Sequence, residues 1–182
     1  MPSTRTLTLV SLISALAVAA ALLTATNVRA QSRDVDLDRF DGRWFEIARN
    51  PNDVQKDCRR AQIDFTAQSR ADRYGMLVTC TRRADGVVET LRANARVTDT
   101  TTNAKFRFTL TGLLSFGGLA GQNYWVWDHA PDYSWVIMGL PDRSGWWIWN
   151  RSQSPSEATR SRLLARAAAL GFDTANPVHT GR

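Results

Sequence analysis

The residues that could perform covalent or acid–base chemistry are few in this sequence. It contains two histidines, His129 and His179, and two cysteines, Cys58 and Cys80. Nucleophilic hydrolysis needs a nucleophile, a base and a group that orients the base, and no Gly-x-Ser-x-Gly turn is present. Clustered zinc ligands, a phosphate-binding loop and a dinucleotide fingerprint are also missing. The sequence therefore predicts no catalytic residue, no metal and no cofactor.

Glu46 is the acidic residue with the most informative neighbours. In a strand it would share one face with Trp44 and Ala48. An unpaired buried charge is costly, which favours a structural pairing of Glu46 with an arginine over a catalytic role. An isomerase that uses Glu46 or an inward Cys80 thiol is kept as an alternative to binding.

Residues 1–30 have the features of a secretory signal peptide. A short basic start precedes an apolar run from Leu7 to Leu23, and Val28-Arg29-Ala30 places small residues at the two positions that a signal peptidase reads. An uncleaved membrane anchor competes, because the run approaches the roughly 18 apolar residues of a membrane span. We expect cleavage after Ala30 and export to the periplasm or medium, with a peripheral outer-membrane location as a further option. No lipoprotein cysteine lies near the junction.

Residues 31–182 have a length that suits one domain. Removing Arg5 and Arg29 lowers the formal net charge from +6 to +4. The remaining arginines are scattered rather than clustered in a basic stripe, so a nucleic-acid partner is not expected. An oxidising compartment favours a disulfide between Cys58 and Cys80 over two buried thiols.

Short runs rich in Val, Ile, Thr and aromatic residues follow Asp41 and are separated by turn sequences such as Asn50-Pro51-Asn52-Asp53. Short connections predict an antiparallel up-and-down barrel over about residues 42–151, whose interior can hold one small ligand. The eight predicted strands lie near 44–49, 60–67, 75–82, 87–97, 104–111, 124–129, 134–139 and 146–151.

One helix is predicted over about residues 155–170, followed by a C-terminal tail over 171–182. Ser154, Pro155 and Glu157 fit a capping box, and Gly171 fits a left-handed stop. An apolar stripe would pack on the outside of the barrel, with Phe172 tethering the tail. The stripe comprises Leu163, Leu164, Ala167, Ala168 and Leu170, and the opposite face Arg160, Arg162 and Arg166.

The segment from Gly112 to Gly121 combines four glycines with apolar residues. Exposed apolar patches usually have a role, so this loop is a lid over a cavity, a lip that touches a membrane, or a segment tucked against the barrel. Its apolar residues are Leu113, Leu114, Phe116 and Leu119.

Seven tryptophans are present, six of them in the last three predicted strands. Adjacent Trp146 and Trp147 would point to opposite faces of one strand, so one set lines the interior and another packs under the helix. A sugar-binding module is a further alternative, and it predicts a row of solvent-exposed tryptophans.

Three separated motifs resemble the bacterial lipocalins of the outer-membrane type, which are related to apolipoprotein D. The resemblance covers Leu37 to about Thr180, although the lipidated cysteine that many such relatives carry is missing. The motifs are Gly42-x-Trp44 in GRWFEIAR, Asn123-Tyr124-Trp125-Val126 leading to Pro131-Asp132-Tyr133, and Trp147-Ile148-Trp149-Asn150-Arg151.

The resemblance implies an all-β, eight-stranded antiparallel barrel with one C-terminal α-helix on its outside. Trp44 would close the base, Arg151 would lie across its ring, and Gly42 would permit a tight turn, which together form a structural clasp. The loops after the first, third, fifth and seventh strands would share the open rim, so the 112–121 segment becomes an entrance loop. Cys58 and Cys80 would both approach that rim, which strengthens the disulfide prediction.

Strand alternation, anchored on an inward Trp44 and Arg151, predicts the ligand pocket, although a slip of one residue would invert each set. Cys80 is expected to face the same interior, and Trp125 and Trp127 are the alternatives on the sixth strand. The predicted pocket comprises Glu46, Ala48, Met76, Val78, Phe106, Phe108, Tyr124, Val126, Val136, Met138, Trp147 and Trp149.

The function that the resemblance implies is binding, storage or transport of a small hydrophobic ligand, with a fatty acid or lysophospholipid as the first expectation. Rim cations such as Arg143 or Lys56 would meet an anionic head group. The expected partners are this lipid and, transiently, a membrane surface, for a protein that is a monomer or weak dimer.

Overall fold

Eight antiparallel strands follow a short helix in the computed structural model, which describes residues 34–111 and 121–181. The predicted signal peptide and the apolar residues of the predicted entrance loop lie outside these residues. The elements are α1 (Leu37–Phe40), β1 (Gly42–Arg49), β2 (Cys58–Ala67), β3 (Arg73–Arg82), β4 (Val88–Val97), β5 (Lys105–Leu110), β6 (Gln122–His129), β7 (Trp135–Gly139), β8 (Trp146–Asn150), α2 (Glu157–Ala169) and β9 (Val178–His179).

The strands pair in sequence order and the sheet closes into a barrel. β1 pairs with both β2 and β8, since Phe45 lies opposite Gln62 on one side and Asn150 on the other. This confirms the predicted eight-stranded up-and-down barrel. A ninth strand was not predicted: His179 of β9 pairs with Ala48 and extends the sheet outside the barrel.

A β-bulge in β1 changes which side chains face the interior. Glu46 pairs with Trp149, whereas Ala48 pairs with Ile148, so the register shifts between them. An extra residue in one strand reverses the alternation beyond it. Ala48 therefore packs beneath α2 with Ile148 rather than inside the barrel. Its prediction as a pocket residue was wrong because alternation was continued through the bulge.

Helix α2 begins later than its predicted cap. Ser156, rather than Ser154, is the N-cap, and its hydroxyl accepts a hydrogen bond from the backbone N–H of Thr159 at 3.2 Å. Ser154 has Glu157 three residues later and so fits the capping-box pattern, whereas Ser156 has Thr159 there, so the pattern favoured the wrong serine. Gly171 ends the helix with a φ of 88°, as expected for a left-handed stop.

The buried face of α2 differs from the predicted stripe. Leu163 and Ala167 are buried as expected, but Ala168 is exposed. Arg160, expected on the outer face, is buried and donates through Nη1 to the carbonyls of Ile47 at 2.8 Å and Thr180 at 3.0 Å. The backbone beside β9 thus supplies acceptors that helix periodicity could not indicate.

Two apolar cores share the barrel wall. One fills the interior, and the other lies between the wall and α2, where Trp127 and Trp146 pack near Leu163 and the Phe172 ring meets Trp127 edge-on. Phe172 thus anchors the start of the tail. All seven tryptophans are buried or half-buried, which contradicts the exposed row expected of a sugar-binding module.

Candidate ligand-binding cavity

The closed end of the barrel is held by Arg151 and Trp44. The guanidinium carbon of Arg151 lies 3.7 Å from the centroid of the Trp44 ring, which is fully buried. Arg151 also donates to the backbone carbonyls of Arg43 at 2.7 Å, Arg39 at 2.7 Å and Asp41 at 2.8 Å. Burial lowers the pKa of Arg151 below its ordinary value. The group nevertheless stays protonated at neutral pH.

Gly42 lies directly against this clasp. Its φ is 92°, in the left-handed region that favours glycine. A Cβ atom at this position would lie 3.4 Å from Nη1 of Arg151. That distance is an ordinary van der Waals contact, so glycine is favoured here by the left-handed turn into β1 rather than by lack of space.

Helix α1 fills the base with an aromatic side chain that the sequence analysis did not identify. Phe40 is fully buried, and its ring stacks on Phe106 at 5.3 Å and approaches Phe65 at 4.9 Å. Its carbonyl accepts a hydrogen bond of 2.8 Å from Nε1 of Trp44. A four-residue helix has no periodic pattern, so only its Asp36 cap could have indicated it.

Three predicted pocket residues belong to this packed floor. Phe106, Val126 and Val136 are fully buried in the interior core, and they do not line the cavity above it. Their inward orientation agrees with the prediction. Their depth does not, because they belong to the packed core at the base of the barrel, where Phe40 stacks on Phe106.

A cavity of about 490 Å³ opens above the floor. This volume lies within the range of small-molecule sites. The predicted residues on its wall are Met76, Val78, Phe108, Tyr124, Met138, Trp147 and Trp149, and the walls are completed by Ile63, Leu91, Ala93, Leu110 and Leu140, with Asn52, Val54, Gln55, Thr109 and Gln122 toward the rim.

The lining residues of β2 and β4 were missed, although their alternation carries a signal. Ile63 precedes the inward Phe65 by two residues, and Leu91 precedes Ala93 in the same way. The period-two alternation of each strand is therefore sufficient to place both side chains on the inner face. The rim residues of the first loop, by contrast, follow no such periodicity.

A buried polar network fixes that first loop over the cavity. Nη1 of Arg49 donates to Glu46 at 2.6 Å, and the amide nitrogen of Gln55 donates to the other carboxylate oxygen at 2.8 Å. The Gln55 side-chain oxygen accepts from Nε1 of Trp147 at 2.7 Å, and its backbone carbonyl accepts from Nη2 of Arg49. Glu46 faces inward but does not line the cavity, so its prediction as a pocket residue was wrong.

Cys58 and Cys80 form the predicted disulfide. Their Cα atoms are 5.5 Å apart, and the bond joins the start of β2 to the end of β3 at the open end. The prediction is confirmed. Cys80 consequently has no free thiol, which removes the thiol version of the isomerase alternative.

Neither a metal centre nor a membrane-spanning helix is found in the part of the chain that the structure describes. Within residues 34–111 and 121–181, no three His, Cys, Asp or Glu side chains are grouped closely enough to hold a metal ion. No helix in these ranges has the length and apolar character needed to cross a membrane.

Comparison with known proteins shows similarity over almost all of these residues. A family model described as a lipocalin-like domain matches residues 35–180. Temperature-induced lipocalin-1 of Arabidopsis thaliana is 27% identical over 142 residues, which cover 78% of this chain and 76% of the plant protein.

Solved structures with low sequence identity share the fold. Insecticyanin from the tobacco hornworm Manduca sexta superposes with a TM-score of 0.62 and 20% identity, covering 81% of each chain. Lobster apocrustacyanin A1 gives a TM-score of 0.57 and 12% identity, covering 82% of this chain and 87% of the lobster protein. At such identities the likeness concerns the fold alone.

Proposed function

The chain belongs to the lipocalin family, and from this premise we propose that it binds and carries a small hydrophobic ligand in the barrel cavity. One observation supports this most directly. The cavity of about 490 Å³ has apolar walls and an opening at one end, while Trp44 and Arg151 close the other. Each methylene of a ligand buried there would contribute about 0.8 kcal/mol. Members of this family are generally binding and transport proteins rather than enzymes.

The finer proposal is an acyl-chain ligand, namely a fatty acid or lysophospholipid, in the cell envelope. The three motifs that resemble the bacterial outer-membrane lipocalins support this ligand class, and residues 1–30 together with the disulfide support export. A transient contact of the rim with a membrane would allow lipid transfer. We propose that the protein is a monomer or a weak dimer.

Of the two rim cations, Lys56 is better placed than Arg143. Lys56 is exposed beside Gln55, which lines the cavity. Arg143 instead lies over the Trp127 ring at 4.5 Å and donates to the Leu170 carbonyl at 3.0 Å, on the side of the barrel that α2 covers. Arg143 is therefore not positioned to contact the head group of a ligand.

The direct test is lipid analysis of natively purified protein, combined with a fluorescence titration that uses two neighbouring variants. Val78 lines the cavity, whereas Thr79 points to the other side of β3. We expect Val78→Trp to fill the cavity and abolish the ligand-dependent change in tryptophan fluorescence, and Thr79→Trp to preserve it. The absence of both a co-purifying lipid and a fluorescence response to acyl lipids would contradict the proposal.

The envelope location requires a separate measurement. Fractionation of cells that express the full chain, followed by intact mass analysis, would show whether the protein begins at Gln31 in the soluble envelope fraction. Recovery of the full-length chain in membranes would favour the anchor instead.

A further inference from the structure

The walls of the cavity are electrically neutral. None of the seventeen side chains that line it among the residues described by the structure belongs to Asp, Glu, Lys, Arg or His. A charged group of a ligand inside the cavity would therefore find no counter-charge on the walls that these seventeen residues form.

The buried charged side chains nearest to the cavity already form an ion pair with each other. Glu46 and Arg49 form an ion pair whose two side chains are almost completely inaccessible to solvent. Arg49 uses Nη1 on Glu46 and Nη2 on the Gln55 carbonyl, and both side-chain atoms of Gln55 are also engaged. Nε of Arg49 has no hydrogen-bond partner among the described residues, but Arg49 does not line the cavity. An ionised ligand group would therefore have to disrupt this network or remain unpaired, and both alternatives oppose binding.

Tyr124 presents one of two hydroxyls on the described cavity wall; the other belongs to Thr109, toward the rim. The Tyr124 ring is stacked on Phe108 at 4.5 Å and meets Trp147 edge-on at 5.4 Å, which fixes its orientation. No hydrogen-bond partner of this hydroxyl is present among residues 34–111 and 121–181, whereas the hydroxyls of Tyr74 and Tyr133 are both bonded to backbone groups. Burial also raises the pKa of Tyr124, which keeps the hydroxyl neutral.

We propose that the cavity selects its ligand by charge: it accepts a chain whose polar end is uncharged, and Tyr124 determines this specificity through a hydrogen bond to that end. The inference depends on the proposed binding function and narrows its ligand class. The polar end of a fatty acid would enter the cavity as the protonated acid rather than as the carboxylate, and only a head group that stays outside at the rim would meet Lys56. A phospholipid would keep its charged head group outside the cavity.

The test compares three ligands that share one chain length: decan-1-ol, decanoate and decylammonium. Tryptophan fluorescence is suitable because Trp147 and Trp149 line the cavity. At about pH 8 the latter two are ionised. We expect decan-1-ol to bind at least about tenfold more tightly than either ion, and decanoate affinity to rise as the pH falls toward 4 and the acid is protonated.

The role of Tyr124 is tested with a ligand of similar shape that cannot form strong hydrogen bonds, 1-chlorodecane. Tyr124→Phe should weaken decan-1-ol binding about two- to tenfold, the effect of one lost hydrogen bond, and leave 1-chlorodecane binding unchanged. Tyr74→Phe, the same substitution at the closed end, is the matched control and should change neither affinity.

The possible results separate the two proposals. Equal or tighter binding of decanoate or decylammonium at pH 8 would overturn the charge selection, whatever the variants show. An equal effect of Tyr124→Phe on decan-1-ol and 1-chlorodecane, or no effect on either, would overturn the role of Tyr124. Failure of all four ligands to bind would instead contradict the proposed binding function itself.

Discussion

Arg49 donates to Glu46 at 2.6 Å inside the barrel, although two residues three positions apart in a regular strand would point to opposite faces. The bulge in β1 reverses the alternation between them and brings both side chains inward. The pair then holds Gln55, and Gln55 accepts a hydrogen bond from Trp147 on the cavity wall. One irregularity of the backbone therefore connects the first rim loop to the binding site.

Glu46→Gln should lower the free energy of unfolding by about 3 kcal/mol or more, because it leaves the Arg49 charge buried without a carboxylate. Asp64→Asn is the matched control, since the Arg43–Asp64 pair is partly exposed and its loss should cost less than about 1 kcal/mol. Urea denaturation measures both. Equal losses of unfolding free energy for the two variants would show that the buried Glu46–Arg49 pair stabilises the fold no more than the partly exposed pair does.

Arg151→Lys should destabilise the protein by about 1–3 kcal/mol. Lysine retains the charge but cannot stack a planar group on Trp44 while donating to several carbonyls. Ligand affinity should change less than about twofold, because the cavity lies at the other end of the barrel. Arg162→Lys on the exposed face of α2 serves as the control for denaturation, and a large change in affinity for Arg151→Lys would contradict the assignment of a purely structural clasp.

Replacing both cysteines by alanine should lower the free energy of unfolding by about 3 kcal/mol, the value expected for a cross-link between residues separated by 22 positions. The bond joins the first residue of β2 to β3 near the rim, so ligand binding should survive at temperatures where the variant is folded. Thermal and urea unfolding of the oxidised protein and the double variant give the difference. A free thiol that reacts with an alkylating agent in the oxidised, unfolded protein would refute the bridge.

Strand alternation and turn chemistry predicted the barrel because most of its strands are regular. On β3 and β8 the alternation identified Met76, Val78, Trp147 and Trp149, all of which line the cavity. It failed at Ala48, since a β-bulge depends on contacts with a neighbouring strand rather than on local residue types.

The depth of the cavity could not be predicted from alternation. Whether a side chain points into the barrel is a local property of its strand. How deep the cavity reaches depends instead on Phe40, whose ring enters the barrel from a four-residue helix. Likewise, the burial of Arg160 depends on the carbonyls of Ile47 and Thr180, which are distant in sequence. Tertiary contacts of this kind leave no periodic signal.

All three tyrosines should ionise at higher pH in the folded protein than in the unfolded one, because burial raises the pKa of Tyr74, Tyr124 and Tyr133. The shift is clearest for Tyr74, whose pKa is raised to about 12 by desolvation first and then by the nearby carboxylates of Asp41, Asp38 and Asp36. Its hydroxyl donates to the Leu37 carbonyl at 3.2 Å, so ionisation would also remove a hydrogen bond at the base of the barrel.

The sign of the resulting pH dependence follows from proton binding. Between about pH 10, where an unfolded tyrosine ionises, and pH 12, the folded state binds more protons than the unfolded state. The stability associated with neutral Tyr74 is therefore fully present below pH 10 and is lost as the pH rises through 12. In a pH titration, tyrosinate absorbance should appear at higher pH in native protein than in urea. Tyr74→Phe should remove the component of the native titration that appears at the highest pH. Coincident titration curves for folded and unfolded protein would contradict this expectation.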